Sequence, residues 1–215
     1  MKRIRKKLGV SVGFLTAFIL WTVAVCVADV QPIGPGGSSV GLVGINQLIH
    51  KLTGVHFVLY HITDWLGLVP IAVCLVFAIM GLVQWIRRRD IRKVDLDILV
   101  LGGFYIITMA VYLLFEYVVI NYRPVLINGY LEASYPSSTT LLVLCVMPTA
   151  ILQCKHRVKN RLLRNGIHTA IMGFMAFMVI GRLFSGVHWF SDIVGGVLLS
   201  TGLVMLYNAV SYIKR

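Results

Sequence analysis

Six long apolar runs constrain the fold of this chain more than any other feature of its sequence. The runs cover about residues 8–28, 58–86, 96–120, 138–154, 165–184 and 189–212. A run of about 20 apolar residues crosses the hydrocarbon core of a bilayer as a helix. Only 13% of the residues are charged, whereas a soluble domain carries about 25%. The sequence therefore predicts one all-α membrane domain, residues 1–215, formed by six transmembrane helices.

The basic residues predict the topology of this bundle. They cluster in four short segments, residues 2–7, 87–93, 155–164 and 214–215. With six spans all four segments fall on one side of the membrane, and only Lys51, Arg123 and Arg182 fall on the other. Basic residues accumulate on the cytoplasmic side, so we expect cytoplasmic termini in a multi-pass plasma-membrane protein of bacterial type. The net charge of +12 is thereby assigned to topology and to contact with anionic membrane lipids, not to nucleic acid.

A short amphipathic segment separates the first two runs. Its apolar residues recur at helical spacing, at Leu42, Ile45, Leu48, Ile49 and Leu52. Polar residues occupy the opposite side, at Asn46, Gln47, His50 and Lys51. This pattern predicts a short helix lying at the outer membrane interface. We favour a connector over a lid for substrate entry.

Three polar segments fall at the predicted outer ends of the spans: residues 116–124, 135–140 and 181–192. Ionisable residues within or beside spans are rare and usually face a polar interior. Arg123 and Arg182 each offer a planar fork of donors that suits phosphate oxygens. Each segment alone has an ordinary structural explanation, as an anchor, a cap or a hydrogen bond. Their common position at one membrane face favours a binding site.

The second and third segments supply further groups suited to an anion. Pro136-Ser137-Ser138 is typical of a helix start, where hydroxyls cap and free N–H groups attract anions. His188 and Asp192 are four residues apart, which predicts one helical face and a carboxylate that orients the imidazole. Gly186 permits a tight turn that brings Arg182 and His188 together from two helices.

These segments resemble the motifs of the type 2 phosphatidic acid phosphatase and vanadium haloperoxidase superfamily. Residues 181–192 are similar to its S-R-x5-H-x3-D signature, with Gly181 at the Ser position. Arg123-Pro124 matches the end of its K-x6-R-P motif, and Pro136-Ser137 matches the start of its P-S-G-H motif. The layout of six spans resembles the membrane lipid phosphatase branch of that superfamily.

The resemblance implies hydrolysis of a lipid phosphate through a phosphohistidine, without a metal or another cofactor. It assigns nucleophilic attack to His188 and orientation of the imidazole to Asp192. It assigns the phosphoryl oxygens to Arg123, Arg182 and the residues Ser137 and Ser138. The expected partners are thus a lipid phosphate substrate and membrane lipids; the oligomeric state is left open.

Two departures from the motifs concern the chemistry. The family's Lys is Glu116 here, predicted to share a helical face with Arg123 about 10 Å away along the axis. Glu116 would repel phosphate, or would pair with one of the arginines and order it. The family's general-acid His is Thr139 here, beside Ser138 in place of Gly. Loss of a general acid costs about 10²- to 10⁴-fold in rate.

Two hypotheses follow from these departures. In the first, the protein is an active phosphatase that prefers a lipid diphosphate, such as a polyprenyl diphosphate, because a phosphate leaving group needs no protonation. In the second, it binds a lipid phosphate or a partner without turnover. His50, His56, His61 and Tyr135 are candidates for a substitute acid that the sequence does not place.

Overall fold

The computed structural model describes residues 2–213 and is almost entirely helical. Its α-helices are α1 (Lys2–Val27), α2 (Val43–Thr53), α3 (Phe57–Leu66), α4 (Leu68–Arg88), α5 (Leu96–Tyr117), α6 (Ser138–Arg157), α7 (Arg161–Phe184) and α8 (Phe190–Ile213). Six of the described segments are long and apolar enough to cross a membrane, and α3 with α4 forms one of them. The predicted bundle of six transmembrane helices, with a short helix between the first two spans, is confirmed. Lys214 and Arg215, the fourth basic segment, lie outside the described residues.

The second span is broken at Gly67, three residues before Pro70. Pro70 has no N–H to donate to the carbonyl of Leu66, and its ring crowds that carbonyl. The helical hydrogen bonding therefore stops one turn before the proline. Pro70 itself lies in the first turn of α4, where a missing N–H costs little.

Two helix ends differ from the sequence-based boundaries in ways that matter for the site. α5 ends at Tyr117, so Arg123 lies in the following loop and does not share a helical face with Glu116. α8 begins at Phe190, so His188 lies in the turn between α7 and α8. Both predictions of a shared helical face are therefore wrong.

α1 packs along α8 and fixes the start of α8 against the rest of the bundle. Ser11 Oγ donates to the Gly202 carbonyl at 2.8 Å, and Gly202 lets the Leu15 side chain approach the α8 backbone. At the other end of the contact, Trp21 Nε1 donates to the Ser191 carbonyl at 3.0 Å. Because unpaired polar groups are costly inside a membrane, these bonds also satisfy side chains that would otherwise be stranded.

The loop between α5 and α6 folds back on itself as a short hairpin. Backbone bridges pair Tyr122 with Ala133 and Ile127 with Tyr130. The turn between them is Asn128-Gly129, with both residues at positive φ (51° and 84°), as a two-residue hairpin turn requires. Ile127 then packs against Tyr60 and Val187. The hairpin thus covers the turn that precedes α8.

The two ends of the bundle differ in charge. Arg88 pairs with Asp95 at 2.8 Å, and Arg157 pairs with Asp97 at 2.8 Å, which ties α4, α5 and α6 together at one end. We call this the basic end, because the basic segments 2–7, 87–93 and 155–164 lie there. We call the opposite end, which holds the turn between α7 and α8, the site end.

Candidate functional site

His188 lies at the centre of the site end, between two guanidinium groups. Its Nε2 is 3.0 Å from Arg182 Nη2 and 3.3 Å from Arg123 Nη1. The three side chains come from α7, from the α5–α6 loop and from the turn before α8. All three residues are buried, with relative exposures of 1% for Arg182, 3% for His188 and 8% for Arg123. The structure thus brings together the two arginines and the histidine that the sequence singled out.

These contacts determine which nitrogen of His188 carries the proton. A guanidinium has N–H donors and no acceptor, so Nε2 must be the acceptor in both contacts. The proton of the neutral ring is then on Nδ1, which faces Asp192 Oδ2 at 3.7 Å. The unprotonated nitrogen therefore points between the two guanidinium groups.

The pKa of His188 is lowered well below its usual range. Burial is the main cause, because it disfavours the charged imidazolium, and the charges of Arg123 and Arg182 act in the same direction. The ring is thus held neutral, with Nε2 unprotonated, at pH values where an exposed histidine would be protonated.

Asp192 is fully buried in the first turn of α8. Its Oδ2 accepts from the Trp189 amide at 2.9 Å, and its Oδ1 accepts from Asn121 Nδ2 at 3.3 Å. The first of these bonds is half of a capping box, in which the third helical residue reaches back to the residue before the helix. Asp192 therefore holds the turn that carries His188, and its distance from Nδ1 is longer than a hydrogen bond.

Each arginine has a carboxylate neighbour. Arg123 Nε is 3.0 Å from Glu132 Oε2 across the hairpin, and Arg182 Nη1 is 3.7 Å from Asp64 Oδ1 on α3. The Tyr60 ring packs against both guanidiniums, with its centroid 6.0 Å from Arg123 Cζ and 5.2 Å from Arg182 Cζ. The two guanidiniums are thus also held by groups other than His188.

The sequence analysis missed Glu132 and Tyr60, although the sequence contains a signal for each. The Asn128-Gly129 pair predicts a two-residue hairpin, which brings the residues after the turn, Glu132 among them, back alongside the segment that contains Arg123. Tyr60 precedes Asp64 by four residues, so the two share a face of α3.

A segment formed by α2 and the residues that follow it clamps the turn before α8. Asn46, fully buried, accepts from the Ser191 amide at 3.0 Å and donates to Ser191 Oγ at 3.0 Å. His50 Nε2 lies 3.1 Å from the Gly186 carbonyl. His56 N donates to the Ser185 carbonyl at 3.0 Å. The polar side of α2 therefore faces the protein.

The apolar side of α2 faces outwards, with Leu48 and Leu52 exposed. An exposed apolar side is what a helix at a membrane interface requires. At the other end of the clamp, Gly186 has φ +69°. A Cβ there would overlap the Gly54 carbonyl, so only glycine allows the segment after α2 to approach the turn this closely.

The start of α6 differs from its predicted role. Ser137 precedes the helix, but its hydroxyl caps no backbone amide and instead accepts from Thr140 Oγ1 at 3.1 Å. Its own N–H donates to the Asp192 carbonyl at 3.0 Å. Ser137 thus joins α6 to α8, and the N–H groups free for an anion are those of the first helical turn, from Ser138 onwards.

Neither departure from the family motif acquires a compensating contact. Glu116 is exposed at the end of α5, beside Tyr112, and among the described residues no basic side chain lies within 4 Å of it. The alternative that Glu116 orders an arginine is therefore wrong, because Glu132 pairs with Arg123. Thr139 is partly exposed and packs beside Gly67 at the break between α3 and α4.

The histidines of the α2 segment do not contact the imidazole of His188. His50 lies against the Trp189 ring, with centroids 5.4 Å apart, and uses Nε2 at the Gly186 carbonyl. His56 is exposed and uses Nε2 at the Thr53 carbonyl, 2.9 Å away. The His50 side chain therefore supports the turn and that of His56 supports its own segment; among the described residues neither contacts an arginine of the site.

The other two candidates for a substitute acid are also engaged elsewhere. His61 is exposed on α3, with its ring 5.1 Å from that of Tyr60. Tyr135 is buried, and its hydroxyl is 2.6 Å from Thr22 Oγ1 on α1. Within the described residues, neither side chain bonds to His188 or to the arginines beside it.

Comparison with known proteins identifies the family and the fold. A sequence model of the PAP2 superfamily matches residues 105–215, which is just over half of the chain and includes both arginines and His188. This chain belongs to the PAP2 superfamily. It is a multi-pass membrane protein with the phosphatase fold of that family.

A solved PAP2 structure has the same fold over almost the whole length. It is the crystal structure of the first transmembrane PAP2 type phosphatidylglycerolphosphate phosphatase from Bacillus subtilis. The TM-score is 0.55 at 19% identity, and the match covers 95% of this chain and 97% of that chain. No curated protein matches the sequence.

Proposed function

We propose that this protein hydrolyses a lipid phosphate and that His188 Nε2 is its nucleophile. The observation that carries the proposal is the unprotonated Nε2 between two buried guanidiniums, 3.0 and 3.3 Å away. A phosphoryl group bound here would place its three anionic oxygens against the two guanidiniums and its phosphorus against this nitrogen. Preorganised cations at that position stabilise the charge that develops during phosphoryl transfer.

The proposed reaction has two steps at phosphorus. In the first, the Nε2 lone pair forms the N–P bond while the P–O bond to the leaving group breaks, and the oxygen keeps the electron pair. The imidazole is then cationic, and Asp192 stabilises this charge from the Nδ1 side. In the second, water attacks phosphorus, the P–N bond breaks, and inorganic phosphate leaves with the proton lost by the water passing to solvent.

Within this reaction class we propose a lipid diphosphate as the preferred substrate. The leaving group is then a lipid monophosphate with a pKa of about 6, which departs without a proton. An alcohol leaving group is far less acidic, with a pKa close to that of water, and needs a general acid. Thr139 occupies the position where the family has that acid, and none of the four candidate donors contacts His188.

The orientation of the site is part of the proposal. The basic segments lie at the end of the bundle opposite His188, and basic residues accumulate on the cytoplasmic side. The site would therefore face the outside of a plasma membrane, with both termini in the cytoplasm. The substrate would reach it from the outer leaflet.

Phosphate release by the purified protein tests the proposal. The panel contains a polyprenyl diphosphate, a polyprenyl monophosphate, phosphatidic acid and phosphatidylglycerolphosphate, the lipid named for the Bacillus subtilis neighbour. We expect the diphosphate to be hydrolysed at least about tenfold faster than the monoesters, and His188→Ala to reduce release to background. Equal release by the wild type and by His188→Ala on every substrate would show that the proposal is wrong.

Binding without turnover is a second candidate function. It is favoured because Glu116 stands where the family has a lysine and Thr139 stands where the family has its general-acid histidine. It predicts saturable binding of lipid phosphate with no covalent intermediate. Rapid acid-free quenching with a ³²P-labelled diphosphate distinguishes the two, because only the phosphatase forms an acid-labile phosphohistidine at His188.

A further inference from the structure

A second polar cavity lies at the basic end, between the first turn of α5 and the last turns of α6 and α8. Its volume is about 170 Å³, roughly the space of five or six water molecules. Leu96, Val100 and Leu152 form its apolar wall. It is separated from His188 by the length of the bundle, and the proposed hydrolysis does not use it.

Two buried polar atoms in this cavity lack partners among the described residues. Gln153 is 2% exposed and donates through Nε2 to the Tyr207 hydroxyl at 3.2 Å, but no described group bonds to its Oε1. Ser211 Oγ is buried and likewise has no partner in the part of the chain that the structure describes. A buried polar atom that is left unpaired costs about 1–3 kcal/mol. Both residues line the cavity, so a ligand that enters it would recover this energy.

The charges around the cavity favour an anion. Lys155 lines it, and among the described residues no carboxylate lies within 4 Å of this ammonium group. Asp97 also lines it, but Arg157 neutralises that carboxylate at 2.8 Å. The Tyr207 hydroxyl accepts from Gln153, so its own O–H remains to donate. The cavity thus offers one uncompensated cation and two hydroxyl donors.

The unpaired amide oxygen adds a second requirement. Gln153 Oε1 can only accept, so the ligand must bring a donor as well as an anion. A phosphodiester has no donor of its own, whereas a phosphate that carries a polyol has both. The cavity holds a group of this size and not a whole lipid. Its position at helix ends, where a bilayer has its polar headgroups, favours a lipid as the source.

We propose that this cavity binds the headgroup of a hydroxylated anionic phospholipid, with the phosphate at Lys155 and a headgroup hydroxyl donating to Gln153 Oε1. The lipid belongs to the leaflet at the basic end, so the site is separate from the one that would hold the substrate. Its occupancy would fill the junction of α5, α6 and α8.

The probe is short-chain phosphatidylglycerol, titrated into the purified full-length protein in detergent while thermal unfolding is followed. We expect Lys155→Gln to weaken its apparent Kd about tenfold and Gln153→Leu to weaken it about fivefold, as loss of a charged and of a neutral hydrogen bond predicts. Gln153→Glu keeps the side-chain shape and adds a negative charge. It should abolish the thermal shift, even if Gln153→Leu fails to fold.

Matched controls separate this site from general charge. Lys159→Gln removes the same charge from the neighbouring linker outside the cavity, and Arg182→Gln removes a cation at the site end; both should change the Kd by less than twofold. An equal loss in Lys159→Gln, or equal binding of short-chain phosphatidylcholine, would overturn the proposal. Equally tight binding of free glycerol 3-phosphate would assign the cavity to a soluble ligand and overturn the lipid source.

Phosphate release keeps this test independent of the proposed hydrolysis. Lys155→Gln and Lys159→Gln should both release phosphate at the wild-type rate, because neither residue contacts the site end. Loss of lipid binding with unchanged release supports the second site by itself. Absence of release in every variant, with binding as predicted, would contradict only the proposed hydrolysis.

Discussion

The turn before α8 and the first turn of α6 lie side by side at the site end, but they are held very differently. The turn is buried and His50 lies against its backbone, while Asn46 and Asn121 bind Ser191 and Asp192 at the start of α8 that follows it. At the start of α6, Ser138 and Thr139 are partly exposed, and no side-chain hydrogen bond of the described residues fixes them. The first region matches its family motif and the second departs from it.

Under the proposed function, this difference shows which part of a phosphoryl-transfer site depends on its surroundings. A nucleophile between two cations must be buried and braced, because the cations repel each other and the imidazole must stay neutral. A proton donor for the leaving group faces the substrate and needs little support. Loss of the donor at Thr139 therefore leaves the braced half of the site undisturbed, which is the turn before α8 with His188 and its two arginines. The second half is the start of α6, and the predictions below treat the two halves separately.

Arg182→Gln should break the braced half with the largest effect. It removes a buried cation 3.0 Å from Nε2, and loss of one such electrostatic contact costs about 10²- to 10³-fold in kcat. The measurement is phosphate release from the preferred diphosphate. Arg164→Gln, which removes an arginine at the basic end, is the control. A fall of less than tenfold for Arg182→Gln would argue against its role at phosphorus.

Thr139→His should restore a proton donor at the start of α6. It restores an imidazole at the position of the family's general acid, which supplies about 10²-fold on substrates that need protonation. We expect a gain of this order on a phosphomonoester and less than threefold on the diphosphate. The ratio of the two rates is the measurement, since a change in folding or in lipid access would alter both rates together.

A uniform gain on both substrates would contradict the assignment of Thr139 to the leaving group. Thr139→Asn serves as the matched variant, because it adds polar bulk of similar size without a group that titrates near neutral pH. It should leave the substrate ratio at its wild-type value.

The sequence predicts the braced half better than its surroundings, and the reason is the range of the interactions. Long apolar runs report the spans directly, because the bilayer imposes their length. The spacing of Arg182, His188 and Asp192 is local, so their convergence could be expected. The groups that hold the start of α8 come from residues far away in the chain: Asn46 lies 145 residues from Ser191, and Asn121 lies 71 residues from Asp192.

Helix ends were the weaker part of the prediction. The third run continues with apolar residues past Tyr117, so hydropathy gives no sign that the helix stops before Arg123. The hairpin that takes its place depends on the Asn128-Gly129 turn, which a search for spans does not register. Glu116 was consequently placed on a face shared with Arg123, and the true carboxylate partner, Glu132, was missed.

Asn46→Leu should weaken the support of the start of α8 without removing a group that contacts the substrate. It removes both bonds to Ser191, at 3.0 Å each, and leaves the shape of the side chain nearly unchanged. We expect kcat to fall about tenfold, as loss of about 1.4 kcal/mol of positioning predicts, with KM within twofold of the wild type. Gln47→Leu, on the same helix but outside these bonds, should change neither value.

The pH dependence of kcat/KM should show the smallest effect. It distinguishes a His188 that stays neutral from an ordinary histidine. Burial and the two arginines lower the pKa of His188, so the nucleophile stays neutral as the pH falls through 6.5. Between pH 7 and pH 6, kcat/KM should change by less than twofold, whereas an ordinary histidine with a pKa of about 6.5 would lose about threefold. The same shift has a consequence for folding, because the unfolded chain binds this proton more readily.

The stability that neutral His188 contributes is therefore complete above pH 6.5 and is lost progressively as the pH falls below that value. His188→Gln removes this titration, so its unfolding free energy should decline less steeply than that of the wild type between pH 6.5 and pH 5. The difference approaches about 1.4 kcal/mol for each pH unit. Parallel stability curves for the two proteins would mean that His188 titrates normally and that the guanidiniums do not hold it neutral.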